Sequence, residues 1–346
     1  MNIAVYSDKF SGTLSASEVI GTVKELFQSN SIQASYFPVT DGGEDSTKIF
    51  KEYGITVKQS LKAKDLIGAE KVIELLDVSG DVFFESSLLI GINNTDIDSM
   101  NLNTACLSEV LKLPDVIGLG GSRTNDGGFG LLSKMGVNFY ADEILIKDPK
   151  PSNLEQITNI KIEDSFERIN KKVLVDTSIP LLGNQSAIEV FGPQKGLNQK
   201  NIENTTFHIE RIIDLISKNL EIQLNPTKEG TGAAGGLGFA LSEVLGCELA
   251  SGAEYFFEKS GLEQKINTFD VSILCEGKFD NSSLEGKVLG QILKKNKGIS
   301  YFLGGTYEYQ DREIFKNIFE CGDAGLIEPK KELISATNKL INQITI

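Results

Sequence analysis

The hydrophobic positions of this chain form short apolar runs that end in polar, glycine-rich loops, and amphipathic segments follow most of these loops. Short apolar runs bounded by glycine predict buried strands, whereas apolar residues three and four apart predict helices. The pattern predicts strands at residues 2–7, 34–39, 116–119, 173–176, 271–275 and 299–303. It predicts helices after the capping-box sequence at 15–18 and at residues 47–53, 104–113, 129–135, 202–220, 239–245 and 331–342. Such alternation of strand and helix is typical of α/β proteins with parallel sheets.

One segment departs from this alternation. Residues 71–86 contain two β-rich runs that turn at Ser79-Gly80-Asp81, which predicts an antiparallel pair. A chain of 346 residues is too long for one average core, so we expect two domains, with a change near residue 60. If the strand–helix units at both chain ends join into one sheet, the middle of the chain is an insertion.

Composition and charge narrow the classes of partner. The net charge of −14 and the pI near 4.7 argue against nucleic acid or an anionic membrane as the main partner. To bind an anionic small molecule, the protein would need local lysines, backbone N–H groups or a metal ion to overcome repulsion by its net negative charge. Neither a signal peptide nor an uninterrupted apolar run of about 18 residues is evident, so we expect a cytoplasmic location.

Cysteine and histidine offer little chemistry. The four cysteines, Cys106, Cys247, Cys275 and Cys321, are scattered without a CxxC pair, so neither a zinc site nor a disulfide framework is indicated. The sole histidine, His208, has no partner at motif spacing on its helix, and we expect it to be a bystander rather than a base.

The stretch at residues 115–132 is organised as strand, glycine turn, polar loop and helix. Gly120 and Gly121 end the strand, and Ser122, Asn125 and Asp126 crowd the loop before the helix. Such a loop presents backbone N–H groups and a positive helix end, which suits an anion, most plausibly phosphate. The alternative is a tight turn whose polar residues only cap the helix.

Three further loops invite a similar interpretation. Residues 40–46 place Asp41 and Glu44 around a glycine pair, either facing a ligand or serving as dipole partners of the next helix. Residues 230–238 are the richest in glycine and form either a phosphate cradle or a close backbone contact of the following helix. No strand precedes them, so the dinucleotide fingerprint is not supported, and no P-loop sequence occurs. Lys195 projects from a proline turn as a plausible phosphate contact or a solvated lysine.

The strand at residues 271–275 ends in the best catalytic constellation of the chain. Glu276, Lys278, Asp280 and Lys287 bring two carboxylates and two lysines to one strand end. Carboxylates can hold Mg²⁺ or accept a proton from a hydroxyl, and lysines can neutralise a migrating phosphoryl group. The alternative is a surface salt-bridge network. Asp8 follows the first strand at the edge where open α/β sheets place their ligands.

Taken in order, these motifs resemble those of the bacterial type I glycerate kinases, and the resemblance covers nearly the whole chain. The motifs are SDKFSGTLSA, DGGE, GLGGSRTNDGG, VFGPQKG, GTGAAGGLG and EGKFD followed by GK. The resemblance implies an α/β fold with a Rossmann-like parallel-sheet domain built from both chain ends, residues 1–60 and 265–346. It also implies an inserted second α/β domain, residues 61–264, with the glycine-rich loops. The implied reaction is Mg²⁺-assisted transfer of the γ-phosphoryl group of ATP to a hydroxyl of D-glycerate.

Site roles are assigned on these matched positions. The expected catalytic residues are Asp8, Asp41, Glu276 and Lys287, and the expected metal ligands are Asp41 and Glu44. The expected nucleotide-binding residues are Gly120, Gly121, Ser122, Gly232, Gly235, Gly236 and Lys195. The expected substrate-binding residues are Lys9, Ser11, Asn125, Asp126, Lys278, Asp280 and Ser282.

Several positions depart from the family pattern. Ser11 stands where the family commonly has lysine, and Cys275, Lys278 and Ser282 replace glycine, arginine and glutamine. Ser178 and Ile179 replace an Asp-Asn pair. Lysine is a point charge that cannot replace the bidentate fork of arginine, so these changes bear on the acceptor more than on the reaction class.

Three functions therefore stand as hypotheses: a D-glycerate kinase yielding 2-phosphoglycerate, a kinase for another small hydroxy acid, and a catalytically silent relative that binds nucleotide or phosphate. The expected partners are ATP and a small acid, with no nucleic acid and no membrane, and a homodimer is possible.

Overall fold

The computed structural model describes residues 1–92, 95, 97–284 and 286–344. These residues form two compact units. The terminal unit comprises Met1–Asp41, Lys48–Tyr53 and the described residues from Ala253 onward, and the inserted unit comprises Gly42–Thr47 and Gly54–Gly252. The predicted domain ranges, 1–60 with 265–346 and 61–264, stay a prediction.

Fourteen strands and twelve α-helices are described. The strands are β1 (Ile3–Ser7), β2 (Ser35–Pro38), β3 (Thr56–Lys64), β4 (Glu70–Val78), β5 (Asp81–Glu85), β6 (Val116–Gly118), β7 (Val137–Ala141), β8 (Ile144–Ile146), β9 (Asn159–Ile162), β10 (Lys172–Val175), β11 (Glu248–Ser251), β12 (Val271–Phe279), β13 (Ile299–Tyr307) and β14 (Asn317–Glu320). The helices are α1 (Ala16–Ser29), α2 (Ser46–Glu52), α3 (Ser87–Ile90), α4 (Phe129–Lys134), α5 (Ala187–Phe191), α6 (Gln199–Leu220), α7 (Ala233–Phe239), α8 (Gly252–Ser260), α9 (Glu263–Ile266), α10 (Asn281–Leu284), α11 (Val288–Lys295) and α12 (Pro329–Ile344).

The terminal unit is built on a five-stranded sheet in the order β14-β13-β12-β1-β2, and every neighbouring pair is parallel. The pairing of β1 with β12 runs from Ile3 opposite Val271 to Ser7 opposite Cys275. Strands from both chain ends therefore share one sheet. The predicted α/β fold class, with a parallel sheet built from both ends of the chain, is confirmed.

Helix α1 illustrates how local sequence shapes this unit. The Ser15 side chain accepts the Glu18 N–H, and the Glu18 carboxylate accepts the Ser15 N–H, which completes the predicted capping box. Val19, Val23 and Phe27 lie on one face of the helix and are buried against the sheet core. Burial of this apolar face stabilises the packing of the helix on the sheet.

The inserted unit contains a six-stranded sheet in the order β11-β10-β6-β5-β4-β3. The four strands from β11 to β5 are parallel, and β5, β4 and β3 are antiparallel. The antiparallel pair predicted at residues 71–86 is confirmed as β4 and β5. Strand β3 and the small antiparallel sheet β8-β7-β9 were not predicted, because their solvent-facing residues obscure the alternation.

Two predicted helices differ in the structure. Residues 104–113 form only a 3₁₀ segment, Ala105–Glu109, in place of the predicted α-helix, and Pro114 just beyond disfavours helical geometry for its predecessor. The helix predicted at 239–245 differs in two ways: the segment Ala233–Phe239 before it is kinked by positive φ at Ala234, Gly235 and Gly236, and Ala240–Val244 form a π-helical turn.

In the terminal unit, the predicted carboxyl ends of β12 and β13 are also wrong. Strand β12 extends past Cys275 to Phe279, and β13 extends to Tyr307, because their ladder continues with Glu276 opposite Gly304. A Cβ atom at Gly304 would overlap the Glu276 carbonyl oxygen, so only glycine permits this pairing. Glu276 therefore lies on a strand and not in a loop.

Among the described residues, no helix has both the length and the apolar character needed to cross a bilayer.

Candidate active site

The carboxyl ends of β1 and β12 bring predicted catalytic residues together in the terminal unit. Asp8 follows β1, and its backbone N–H donates to the carbonyl oxygen of Cys275 on β12 at 3.0 Å. Its carboxylate accepts the Lys9 N–H at 2.7 Å. Glu276 is the next residue on β12, so two carboxylates lie at the sheet edge where parallel α/β sheets bind ligands.

Glu276 is the most perturbed acid at this edge. Its side chain is only 5% exposed, and its Oε1 lies 3.5 Å from the Lys287 Nζ. Its Oε2 has no hydrogen-bond partner within 3.5 Å among the described residues. Burial raises the pKa of Glu276 to about 7; the Lys287 charge and the Ser283 hydroxyl oppose this rise, whereas the Asp8 charge adds to it. A buried carboxylate that titrates near neutrality with one unpaired oxygen can accept a proton from a ligand hydroxyl.

Asp41 binds the start of helix α11, which follows Lys287, the partner of Glu276. Its Oδ1 accepts the backbone N–H of Val288, the first residue of α11, at 2.7 Å. A carboxylate at a helix start pairs with the exposed N–H groups there and favours the local dipole. Because Lys287 immediately precedes this helix, the bond fixes the segment that carries the partner of Glu276.

The loop after β1 is held over β12 by a glycine. A Cβ atom at Gly277 would lie 2.9 Å from the Cα of Phe10 and 3.2 Å from the nitrogen of Ser11, so the backbones approach closely. Ser11 is exposed in this turn and Lys9 is half-buried. The predicted substrate contacts of Lys9 and Ser11 stay predictions.

The remaining charged residues near this edge form an exposed network. Lys278, about half exposed, lies 2.8 Å from Glu308 and 3.8 Å from Asp280. The Asp280 Oδ1 in turn accepts the N–H and the hydroxyl of Ser282. This arrangement corresponds to the alternative of a surface salt-bridge network, and the substrate roles of Lys278, Asp280 and Ser282 stay predictions.

In the inserted unit, the acidic loop packs directly on the glycine turn after β6. A Cβ atom at Gly118 would overlap the carbonyl oxygen of Gly42, and one at Gly120 would lie 2.9 Å from the Cα of Gly43. Gly121 has φ of +62° and lies against the Glu44 carboxylate, whose Oε2 is 3.0 Å from the Cβ position. These contacts require small residues on both sides, so the two loops form one backbone layer.

The polar side chains of the loop after β6 are directed inward. Asp126 is fully buried, and its carboxylate accepts hydrogen bonds from the N–H and hydroxyl of Thr104 and from the N–H groups of Gly128 and Gly130. It thereby anchors the start of α4. Burial raises the pKa of Asp126, and these hydrogen bonds act against the rise. The contacts support a positioning role, while its predicted substrate role stays a prediction.

Lys195 lies inside the inserted unit, so the expectation of a lysine projecting from its turn is wrong. The 3₁₀ turn at Pro193–Lys195 directs it inward, where its Nζ donates to the Thr124 carbonyl oxygen at 2.8 Å and to the Asn125 Oδ1 at 3.2 Å. It is only 3% exposed. Burial lowers the pKa of Lys195 to about 7; the Asp126 charge opposes this effect and the Arg123 charge adds to it.

Close backbone packing accounts for the glycines at 230–238. A Cβ atom at Gly235 would overlap the Thr124 carbonyl oxygen, and one at Gly236 would lie 2.6 Å from the Cα of Gly127. Both have positive φ, +69° and +96°. Gly232 has no room beside the Ala187 side chain. This packing was the alternative to a phosphate cradle; the predicted nucleotide contacts of Gly232, Gly235 and Gly236, and those of Gly120, Gly121 and Ser122, stay predictions.

Sequence reasoning missed Glu85, a buried carboxylate at the end of β5. Its Oε1 accepts the Asp45 N–H at 3.0 Å and the Ser87 hydroxyl, and its Oε2 accepts the Thr47 N–H at 2.8 Å. Burial raises the pKa of Glu85, and these donors oppose the rise. Glu85 thus holds the acidic loop in place. The only available signal was a carboxylate that closes the apolar run VFFE.

Arg123 and Asp176 were also missed. Arg123 lies within the polar loop after β6, and Asp176 follows β10, with its Oδ2 3.6 Å from the Cβ position of Gly120. The signal for Asp176 was its position directly after a buried strand. Arg123 was visible only as the R of GGSRTNDGG.

A metal ion would have to be held by few protein ligands. The described part of the chain contains no group of three or more His, Cys, Asp or Glu side chains placed to hold a metal ion. Mg²⁺ in phosphoryl-transfer sites usually takes one or two carboxylates, with water and phosphate oxygens completing its shell. The carboxylates of Glu44 and Asp176 both lie against the glycine turn. They would provide the one or two protein ligands that such a Mg²⁺ ion takes. The predicted metal ligands Asp41 and Glu44 stay a prediction.

The fold is that of an α/β protein with polar residues at the carboxyl ends of parallel strands, the edge where such folds bind ligands. The model of the glycerate kinase family matches residues 3–317, and the chain belongs to that family. It is accordingly a phosphotransferase with an alcohol group as acceptor, and family membership supports phosphorylation of glycerate.

Named relatives and a solved structure agree with this assignment. The chain is 29% identical over 306 residues to a glycerate 2-kinase of Escherichia coli (strain K12), covering 83% of this chain and 80% of that protein. It is 28% identical over 319 residues to a glycerate kinase of Bacillus subtilis (strain 168), covering 86% and 82%. A crystal structure assigned as glycerate kinase 2 from Salmonella typhimurium LT2 matches with a TM-score of 0.69 at 23% identity, covering 100% of this chain and 98% of that one, which shows the shared fold.

Proposed function

We propose that the chain is an ATP-dependent D-glycerate kinase that uses Mg²⁺ and yields 2-phosphoglycerate. The observation that carries this proposal is the buried, unpaired Oε2 of Glu276 at the carboxyl end of β12, with Lys287 beside its other oxygen. Family membership supplies the reaction class, and this carboxylate supplies a group suited to activate a hydroxyl.

In the proposed reaction, Glu276 accepts the proton of the acceptor hydroxyl through its Oε2. The hydroxyl oxygen forms a bond to the γ-phosphorus of ATP, and the bond between that phosphorus and the leaving oxygen of ADP breaks. Lys287 offers positive charge beside the site, and Asp41 holds the helix that follows it. Burial, with a smaller contribution from the Asp8 charge, keeps the pKa of Glu276 high, so that its ionised form is a competent base. Phosphoryl transfer depends mainly on such positioning and charge stabilisation.

Nucleotide binding is proposed for the inserted unit. Its glycine turn after β6, Gly120 and Gly121, lies at the carboxyl end of a parallel strand, where α/β folds bind phosphate groups. Lys195 would act by holding this loop through Thr124 and Asn125. Bound Mg²⁺ would neutralise phosphate charge, with Glu44 and Asp176 as its available carboxylates. A cytoplasmic location and a homodimer stay part of the prediction.

A second acceptor is favoured by one observation. Lys278, at a position where the family has arginine, pairs with Glu308 and Asp280, so its charge is engaged within the protein. If that position selects glycerate in the family, this chain would use another small hydroxy acid as acceptor. The phosphoryl-transfer chemistry would be the same.

The test is a coupled ADP-release assay with Mg-ATP against D-glycerate and a panel of small hydroxy acids. We expect turnover with D-glycerate, its loss in Glu276→Gln and Asp41→Ala, and its retention in Glu263→Gln. Glu263 is a matched control because it is also a glutamate paired with a lysine, Lys295, but an exposed one. Phosphorus NMR of the product identifies the phosphorylated hydroxyl. Turnover only with another acid supports the second acceptor, and no turnover with any acid contradicts the kinase proposal.

A further inference from the structure

One arginine of the inserted unit differs from the others in its contacts. The chain has four arginines, Arg123, Arg168, Arg211 and Arg312. Arg168 donates to the Glu243 carbonyl oxygen, Arg211 to the carbonyl oxygens of Leu154 and Ile157, and Arg312 to the Glu320 carboxylate. The Nε of Arg123 is buried and has no hydrogen-bond partner within the described part of the chain.

A buried donor without a partner is unfavourable, and the cost is larger for a charged group. Arginine is also the side chain best suited to hold two oxygens of one planar or tetrahedral anion. Arg123 therefore has the chemistry of an anion-binding group whose Nε lacks an acceptor among the described residues.

Its place in the fold supports this interpretation. Arg123 lies in the loop after β6, at the carboxyl end of a parallel strand, two residues beyond the glycine turn. Its backbone is fixed, because its N–H donates to the Ile90 carbonyl oxygen at 2.8 Å. The next residue, Thr124, is held by the Lys195 Nζ. The side chain that carries the guanidinium therefore starts from a backbone that is held in place by hydrogen bonds.

The local charge points to an anion. The positive charge of Arg123 lies close enough to Lys195 to contribute to lowering the pKa of that lysine. Two cations near one loop repel each other, and a bound anion relieves this repulsion. The Asp126 charge opposes this effect at Lys195, but neither Asp126 nor any other described residue accepts a hydrogen bond from the Nε of Arg123. An anion therefore remains a suitable partner for this buried Nε.

We propose that Arg123 is a specificity-determining residue whose guanidinium binds a pair of anionic oxygens of a substrate, either the carboxylate of the acceptor acid or a phosphate of the nucleotide. This inference rests on the proposed kinase function and names a contact of that same reaction.

The experiment compares Arg123→Gln and Arg123→Lys with wild type and with Arg168→Gln as the matched control. Steady-state kinetics give KM for D-glycerate and for Mg-ATP, and calorimetry gives the affinities for D-glycerate and ATP without turnover. We expect Arg123→Gln to raise KM and Kd for one of the two ligands about ten- to a hundredfold, with a smaller effect on kcat. Arg123→Lys should recover only part of the loss, because it keeps the charge but not the fork.

The possible results distinguish an acceptor carboxylate from a nucleotide phosphate as the ligand of Arg123. They also distinguish failure of the Arg123 proposal from failure of the proposed kinase reaction. Weaker binding of D-glycerate alone assigns the carboxylate, and weaker binding of ATP alone assigns a phosphate. The proposal is overturned if Arg123→Gln leaves both affinities within about twofold of wild type, or if Arg123→Lys equals wild type. Wild-type protein that binds these ligands without ADP release contradicts the proposed reaction, and calorimetry still decides the role of Arg123. Wild-type protein that binds neither ligand overturns both. If Arg123→Gln does not fold, Arg123→Lys carries the comparison.

Discussion

Glu276→Gln should remove activity and yet stabilise the protein above neutral pH. The folded chain raises the pKa of this carboxyl from its ordinary 4.5 to about 7, mainly through burial. The neutral form is therefore favoured on folding, and the ionised form is penalised. Glutamine reproduces the shape of the neutral form and cannot ionise, so it escapes this penalty while losing the base.

The size of the effect follows from the same pKa values. Each pH unit between the unfolded and folded pKa is worth about 1.4 kcal/mol, so the penalty on wild type approaches about 3 kcal/mol at pH 8. At pH 5 it is below about 1 kcal/mol, because Glu276 is then protonated in the folded chain and pH 5 lies only about half a unit above its ordinary pKa of 4.5 in the unfolded one. For units of this size, these values correspond to melting temperatures about 6–12 °C above wild type at pH 8 and about 2–3 °C above it at pH 5.

The assay is thermal unfolding of wild type, Glu276→Gln and Glu263→Gln between pH 5 and pH 8, together with kcat/KM over the same range. We expect the stabilisation to grow between about pH 5 and pH 7 and to level off above pH 7, because these pH values lie between the unfolded and folded pKa of Glu276. We also expect Glu263→Gln to follow wild type and the acid limb of wild-type kcat/KM to lie near pH 7. A Glu276→Gln protein that melts at or below wild type at pH 8 would show that the buried carboxylate is not penalised, and the reasoning would be wrong.

Two further substitutions test the packing of the inserted unit. Glu85→Gln should cost about 1–3 kcal/mol and raise KM, because an amide cannot accept hydrogen bonds on both of its ends and one N–H of the acidic loop loses its acceptor. Thermal unfolding of Glu85→Gln measures this loss of stability, with Glu163→Gln, a substitution of an exposed glutamate, as the control. Equal losses of stability in the two variants would contradict the prediction. Gly235→Ala should destabilise by more than Gly196→Ala, because both have positive φ but only Gly235 has a carbonyl oxygen in the space of its Cβ. Denaturant unfolding of the two variants measures this difference in stability. Similar free energies of unfolding would refute the argument that the Thr124 carbonyl oxygen excludes a Cβ atom at Gly235.

The two charge networks of this protein have different consequences for function. The pair of Lys278 with Glu308 is exposed, and exposed ion pairs contribute little to stability. In the pair of Glu276 with Lys287, the glutamate is buried, and this burial raises the pKa of Glu276 to about 7 against the effect of the Lys287 charge, a value that suits catalysis at neutral pH. We therefore expect stability to tolerate changes at Lys278 and chemistry to depend on Glu276.

The sequence alone determined the features that depend on neighbouring residues. The alternation of apolar runs and amphipathic segments predicted the α/β class, and the spacing of Ser15 and Glu18 predicted the start of α1, because both patterns express local backbone preferences. The ordered motifs indicated the family for the same reason, since each motif is a short continuous stretch.

Only the tertiary structure decided which polar groups are buried and what faces them. Lys195 had the sequence context of an exposed turn, yet its partners are Thr124 and Asn125, about seventy residues away in the chain. Glu276 owes its unusual pKa to burial and to Asp8, which follows a strand from the opposite end of the chain. Gly235 is required because the carbonyl oxygen of Thr124 occupies the place of its Cβ. Desolvation and close contact depend on residues distant in sequence, so no local pattern contains them.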